Sequence, residues 1–339
     1  MFKAATIKDI AKELGFSAST VSRALLDSHE VSAETRKKVK DYAKKINYYS
    51  NPAARSLKNS RSYSIGVMVA DVANSFFSQT INGIESIAYE KGYHVIITQS
   101  HDLYDREAVN IEHLANSSID GLLISMSAGT TDYSHINRLH NQGLPIVLFD
   151  RIIDDIKTFK VTTNNFKAAF DATALLINKG YKKIAFIANA PQLSITIDRV
   201  NGYKAALEAN SLPFEYNLVK YCFAGGRILE EVTQAIEDLL ALPEKPEALF
   251  IASDQLSKAS IRALNKLSYN NNLAIIGFSN SDVIDLISPH ISYIKQNAFQ
   301  IGEIAMRMLI KLMESKYPIY DFETKLVDAE IYWSDNFDL

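Results

Sequence analysis

The chain has 339 residues and a single cysteine, Cys222, so no disulfide framework can hold its fold and a reducing compartment is expected. No apolar run reaches the roughly 20 residues that a membrane helix needs. The opening stretch, MFKAATIKDIAKEL, carries charges through its apolar part and does not read as a signal peptide. These absences predict a cytoplasmic protein with no membrane partner. Enzyme signatures are missing too: there is no G-x-S-x-G elbow, no H-E-x-x-H, no P-loop and no G-x-G-x-x-G. The seven histidines are scattered, and neither His29 nor His113 forms a pair with metal spacing. No catalytic residue, no metal and no cofactor are expected, although a fold alone would not exclude an enzyme.

What is present is unevenly placed. The net charge of −3 argues against nucleic acid, but residues 1–61 hold 13 Lys and Arg against 6 Asp and Glu, a net of +7. The rest of the chain carries −10. A basic head on an acidic body predicts that only the head touches phosphate. With 47% apolar residues, the length suffices for two or three domains with buried cores.

The basic head centres on TIKDIAKELGFSASTVSRAL, Thr6 to Leu25. Thr6 and Asp9 stand in a capping-box relation, and Ile7, Ile10, Ala11 and Leu14 share one helical face. Gly15 supplies the left-handed stop. Ser17 can cap a second helix on which Val21, Ala24 and Leu25 face inward. Ala18, Ser19, Ser22 and Arg23 are left outside. Small residues permit close approach to a major groove, and an arginine can bond a guanine bidentately. A third helix is expected from a Ser32 cap to about Ile46, with Val39, Tyr42, Ala43 and Ile46 as its core stripe. In the following YYSNPAARSLKNSR, Asn51 and Pro52 would start a helix of under two turns, too short to be stable alone in water. Folded on DNA, it would offer Leu57 as a minor-groove wedge.

From Tyr63 the pattern changes to alternating strands and helices. Apolar runs at Ser64–Ala70, His94–Gln99, Gly121–Ser125 and Pro145–Phe149 form one series. Those at Ile184–Ala188, Leu218–Cys222, Ala248–Ala252 and Leu273–Gly277 form another. Helical segments separate the members of each. Buried strands with helical crossovers predict two α/β lobes with parallel sheets. Ligands of such sheets bind at the carboxyl ends of the strands, and between lobes where two face each other.

Together these residues resemble the LacI/GalR family of bacterial transcription repressors. The likeness runs from Thr6 to about residue 332. It is most specific in TIKDIAKELGFSASTVSRAL, VSAETRKKV and NPAARSL, and continues through IGVMVADVANSFFSQTINGIE, DGLLIS, VLFD, NGYKAAL, IASD, IIGF and YIKQ. The resemblance implies a helix-turn-helix domain over 1–49, a hinge helix or linker over 50–61, and a two-lobed, periplasmic-binding-protein-like core. Its N-terminal lobe would hold 62–162 with 293–324, and its C-terminal lobe 163–292 with 325–339. A homodimer on a pseudo-palindromic operator is implied, with no added tail helix to join dimers. Ala18, Ser19 and Arg23 would then read bases, and Thr20 and Ser22, with the caps Thr6 and Ser17, would meet phosphate. Leu57 matches the wedge, and Ala54 packs where paired hinge helices, begun at Asn51, meet.

The resemblance also implies a small-molecule effector between the lobes, often a sugar or sugar derivative. Asn74, Phe76 and Phe77 fall in the first cleft loop, with the alternative that the phenylalanines belong to the core. Asp150 follows a strand and would sit at the cleft rim. Arg199 begins a helix where the dipole disfavours a cation, which an anionic or polar ligand would explain. Gln296 matches a ligand-facing position on the third crossing. Two departures stand out: Ser279 replaces the family's sugar-binding Asp after G-(F/Y), and Ser253 stands where some members carry an Asn. Phe223, in the unusual CFAGGR, is the candidate for the second lobe's aromatic. The alternatives are a two-lobed sugar receptor with no DNA role, and a family member that has lost its effector response.

Overall fold

The computed structural model describes residues 5–48, 61–269, 273–284 and 291–334. The chain divides into two compact units, split between Ser62 and Tyr63.

The first unit contains α1 (Ile7–Leu14), α2 (Ala18–Leu25) and α3 (Ala33–Lys45). Their ends form as the sequence dictates. The Thr6 hydroxyl accepts from Asp9 N at 3.3 Å while Asp9 Oδ2 accepts from Thr6 N at 2.8 Å, a reciprocal capping box. Gly15, at φ +69°, closes α1. Ser17 and Ser32 accept from Thr20 N and Thr35 N. Ile10, Ala11, Val21, Ala24, Val39 and Ala43 point inward and bury one small core, closed by Val31 from the loop before α3.

The second unit holds two six-stranded sheets. The first is built from β1 (Ser64–Val69), β2 (His94–Gln99), β3 (Gly121–Ile124), β4 (Ile146–Phe149), β5 (Lys160–Thr163) and β11 (Thr324–Val327), in the order β11-β5-β4-β3-β1-β2. All its pairings are parallel. The second contains β6 (Ile184–Ala188), β7 (Val219–Tyr221), β8 (Ala248–Ile251), β9 (Ala274–Phe278), β10 (Ser292–Gln296) and β12 (Ala329–Tyr332), in the order β12-β10-β9-β8-β6-β7. Only β12 runs antiparallel there.

Helices cover both faces of each sheet, which is why the strands read as continuous apolar runs. In the first lobe, Ile65, Val67 and Val69 of β1 join the core under α4 (Ser75–Glu90) and α11 (Ala298–Glu314). Met68 joins the opposite layer, with Ile111 of α5 (Tyr104–Asn116) and Ile136 of α6 (Ser134–Asn141). In the second lobe, Ile184, Phe186 and Ala188 pack under α7 (Asn165–Asn178) and α8 (Ser194–Ala209). Ala185 and Ile187 face α9 (Leu229–Leu240) and α10 (Asp254–Lys266). The helix pairs α4–α11 and α7–α8 touch through glycine. A Cβ on Gly83 would lie 2.0 Å from Phe299 O, and one on Gly202 would lie 2.2 Å from Phe166 O.

The chain passes between the lobes three times: at Asn164 between β5 and α7, at Asn297 between β10 and α11, and at Asp328 between β11 and β12. The crossings are tied together, Asn164 Nδ2 donating to Asp328 Oδ1 at 3.0 Å and Gln296 Nε2 to Thr163 Oγ1 at 2.8 Å. This corrects the expected lobe boundaries. Residues 293–296 belong to the second sheet rather than the first lobe, and 325–327 complete the first sheet rather than the second. The short strands KVTT, SYIKQ and TKLV carry polar residues where the other strands are apolar, so no run marks them in the sequence.

Candidate functional sites

In the helical head, the outer face of α2 is as expected. Ser17, Ala18, Ser19 and Arg23 are exposed, Thr20 and Ser22 are half-buried, and Val21 and Ala24 are buried. The Ser17 hydroxyl lies 2.8 Å from both Ser19 Oγ and Thr20 Oγ1, so capping and the small-polar face share one hydroxyl cluster. Arg23 Nε lies 2.9 Å from a carboxylate oxygen of Glu30, with both side chains half exposed. Such a pair is worth no more than about 1 kcal/mol and leaves the guanidinium available. Asn51, Ala54 and Leu57 lie outside the described residues.

In the core, polar residues gather at the carboxyl ends of the strands. Asp102 lies beyond β2, Ser125 follows β3, Asp150 and Arg151 follow β4, Asn189 follows β6, Ser253 lies beyond β8, and Ser279 follows β9. The end of a parallel strand frees backbone and side chains from the ladder, which is why ligand groups collect there. Asp102 and Asp150 both adopt the left-handed conformation, with φ +63° and +59°. That backbone is uncommon outside glycine and concentrates at functional turns.

Asp150 is buried. Burial pushes its carboxyl up, against the pull of the Arg151 and Arg199 guanidinium groups and a 3.4 Å bond from Ser125 Oγ. Arg199 belongs to the other lobe and is also buried. Its Nε donates to Asn165 Oδ1 at 2.8 Å, its Nη1 donates to Ala252 O, and its guanidinium carbon lies 3.6 Å from the centre of the Phe278 ring. Burial pushes its pKa down to about 10, with Asp150 acting against the fall, so the side chain stays charged at neutral pH. An arginine and a carboxylate from opposite lobes therefore offset each other's charge across the cleft.

The other expected residues divide. Asn74 caps α4, its Oδ1 accepting from Phe76 N at 2.9 Å. Phe76 and Phe77 are both buried in the first lobe's core, edge to face at 5.3 Å, with the Arg151 guanidinium 6.0 Å from the Phe77 ring centre. Gln296 holds the crossing: its side-chain Nε2 donates to Thr163 Oγ1 and its backbone N–H to Asn280 Oδ1 at 3.2 Å. Ser253 caps α10 and donates to Asn189 Oδ1 at 3.2 Å. The cap of α10 is thus Ser253, while Asp254 is a buried anchor. Asp254 accepts from Ser279 Oγ at 3.0 Å, Asn280 N at 3.3 Å and Lys258 Nζ at 2.7 Å. Phe223 is not drawn in: it is 61% exposed, and its loop is pinned from behind by Glu231, which accepts from Phe223 N and Ala224 N at 2.6 and 3.0 Å.

Sequence reasoning missed three residues here: Asp102, Arg151 and Arg227. Arg151 was within reach of it, since it follows Asp150 at the end of a strand. Asp102 and Arg227 meet only in three dimensions.

A helix-turn-helix head joined to a two-lobed core of parallel sheets defines a class of DNA-binding proteins. Residues 6–51 match the model of bacterial regulatory proteins of the lacI family, and residues 65–317 match a periplasmic binding protein domain. Catabolite control protein A of Priestia megaterium is 32% identical over 314 residues, covering 92% of this chain and 93% of that protein. The HTH-type transcriptional repressor CytR of Escherichia coli K12 is 32% identical over 330 residues, covering 97% and 95%. Among solved structures, a lac repressor dimer bound to operator and the anti-inducer ONPF aligns with a TM-score of 0.78 at 20% identity, covering 97% and 98%. The chain belongs to the lacI family; it is a DNA-binding transcriptional regulator and not an enzyme.

Proposed function

We propose that this regulator binds a small molecule between the two lobes of its core, and that occupancy of that site changes its affinity for operator DNA. The observation that carries the reading is the buried Asp150–Arg199 pair, one member from each lobe, at the carboxyl ends of two parallel sheets. Charged side chains are seldom fully buried without a partner or a task, and sites of this kind mark ligand clefts. The effector is an oxygen-rich molecule, a sugar or sugar derivative. Guanidinium groups donate to its oxygens, and Asp150 accepts from its hydroxyls.

The protein acts as a homodimer on a pseudo-palindromic operator. Two edge strands support this. On β2, Ile96 and Ile97 are exposed, and on and after β7, Tyr221 and Ile228 are exposed. Bare apolar edges of this kind invite a partner. Ala18, Ser19 and Arg23 read bases, while Thr6, Ser17, Thr20 and Ser22 hold phosphates.

The test is fluorescence anisotropy of DNA from upstream of its own and neighbouring genes, at fixed salt, titrated with a panel of sugars and sugar phosphates. A several-fold change in affinity with one class supports the reading, and its sign separates inducer from corepressor. Tight binding that no ligand moves would overturn the effector part and leave the regulator intact.

A further inference from the structure

We propose that Asp102 is a positioning residue that latches the two lobes together, holding Arg151 of the first lobe and Arg227 of the second on one carboxylate. The inference builds on the reading of the cleft as a ligand site, and its test needs no ligand.

Asp102 is buried in the loop after β2. One carboxylate oxygen accepts from Ala128 N at 3.0 Å and from Arg151 Nη1; the other accepts from Arg227 Nη1. Burial works against its charge, but the two guanidinium groups and the Ala128 N–H outweigh it and hold the carboxyl far below the usual range. The carboxylate is therefore ionised at neutral pH.

The second-lobe partner is presented by a purpose-shaped loop. Gly225 and Gly226 take φ +59° and +89°. A Cβ on Gly226 would meet the backbone of Gln255 at 2.8 Å, so the turn can press onto the start of α10 only as glycine. Glu231 pins the loop from the other side through Phe223 N and Ala224 N. The turn then aims Arg227 at the first lobe. CFAGGR is thus a loop built to present its arginine.

The ion pair does not stand alone. The same Ala128 that donates its N–H to Asp102 accepts at its carbonyl from Gln192 Nε2 of the second lobe, at 2.8 Å. Beside it, Ala128 packs against Ala190, Leu193 and Ile195, and Ser194 Oγ accepts from Ile152 N at 3.1 Å. Asp102 therefore fixes the 128 backbone, the Arg151 side chain and the opposite lobe at once, so seating Arg151 and closing this rim are one event.

The experiment is electron–electron double resonance on the full chain, with no added small molecule, using nitroxides at His113→Cys on α5 and Glu230→Cys on α9, with labelled chain diluted into excess unlabelled chain so that each dimer carries one labelled protomer. Both positions are exposed, and the native Cys222 is buried with its thiol pushed up to about 12, so it does not take label. The unaltered latch should give one narrow distance at 0.1 M salt. Arg227→Gln should add a longer, broader population, 1 M NaCl should do the same to the unaltered protein, and Arg227→Lys should restore much of the short one. Asp102→Asn should lengthen the distance at least as much. A distribution for Arg227→Gln that coincides with the unaltered protein would overturn the proposal. Lengthening by Asp102→Asn alone would also overturn it, by confining Asp102's role to the first lobe. Failure would leave the effector reading untouched, and an effector panel that moves nothing would leave this readout standing.

Discussion

Replacing Arg199 by Met tests whether the cross-lobe charge pair organises the core. The substitution keeps the length and apolar stem of the side chain, so packing over Phe278 is largely preserved. It removes the bonds to Asn165 Oδ1 and Ala252 O, and it removes one of the two positive charges that oppose the upward push of burial on the Asp150 carboxyl. Both charges are buried, so water does not screen the loss. Leaving two buried acceptors, Asn165 Oδ1 and Ala252 O, without their donor costs about 1–3 kcal/mol, and Asp150 keeps only Arg151 as a cation nearby. Asp150 should respond by binding a proton. Its carboxyl is already pushed up by burial, and losing Arg199 pushes it higher. A carboxyl whose folded pKa exceeds its unfolded value binds more protons in the native state, so stability falls as pH rises through that interval. Arg199→Met should therefore be distinctly less stable relative to the unaltered protein at pH 8 than at pH 5, as read by urea unfolding. Arg199→Met with Asp150→Asn should recover part of the loss and flatten the pH dependence. A single-variant loss below about 1 kcal/mol, independent of pH, would refute the coupling.

Three further outcomes are expected. Arg23→Ala should weaken operator binding by about 1–3 kcal/mol and relax discrimination at one base position, measured by anisotropy against single-base operator variants. Gly83→Ala puts a methyl group 2.0 Å from Phe299 O and should lower the melting temperature of the core by the equivalent of at least about 1–3 kcal/mol of overpacking, since the obstacle is backbone and cannot rotate away. Ser279→Asp should destabilise the second lobe and gain pH dependence, seen in urea unfolding between pH 5 and pH 8, with Asp254→Asn restoring much of the loss.

The fold was legible wherever burial leaves a periodic trace. The caps Thr6, Ser17 and Ser32 and the Gly15 stop mark the head, and strands such as SIGVMV and IAFIA, buried on both faces, declare a parallel sheet. The lobe boundaries were less legible because the strands next to the crossings are short and polar. Lys160 is buried but bonded to Asp154 at 2.9 Å, and β11 is an exposed edge, so neither announces a strand. The site divides along the same line. Asp150 and Arg199 carry a local signal, a carboxylate just past a strand and a cation at a helix start. Asp102 and Arg227 are 125 positions apart in the chain and become partners only when two separate sheets set their loops face to face. Phe223 is exposed in its loop, whose backbone is held by Glu231.

The serine at 279 is engaged by its neighbour Asp254. Asp254 is buried at the first turn of α10, where Lys258 Nζ donates to it at 2.7 Å and the Ser279 hydroxyl at 3.0 Å. An aspartate at 279 would bring a second carboxylate to about that distance, inside the protein, where two like charges cannot both stay ionised. One would take up a proton or push the loop away. Serine instead supplies a hydrogen that the carboxylate can accept, and it ties the end of β9 to α10. With serine at 279, the end of β9 brings a hydroxyl rather than a carboxylate to this part of the second lobe. That leaves Asp102 and Asp150, both on the first lobe, as the carboxylates that face Arg227 and Arg199 of the second. The charge complementarity between the lobes is one-sided, acidic loops meeting two arginines. A geometry of that kind makes the approach of the lobes depend on those four side chains as much as on anything bound between them.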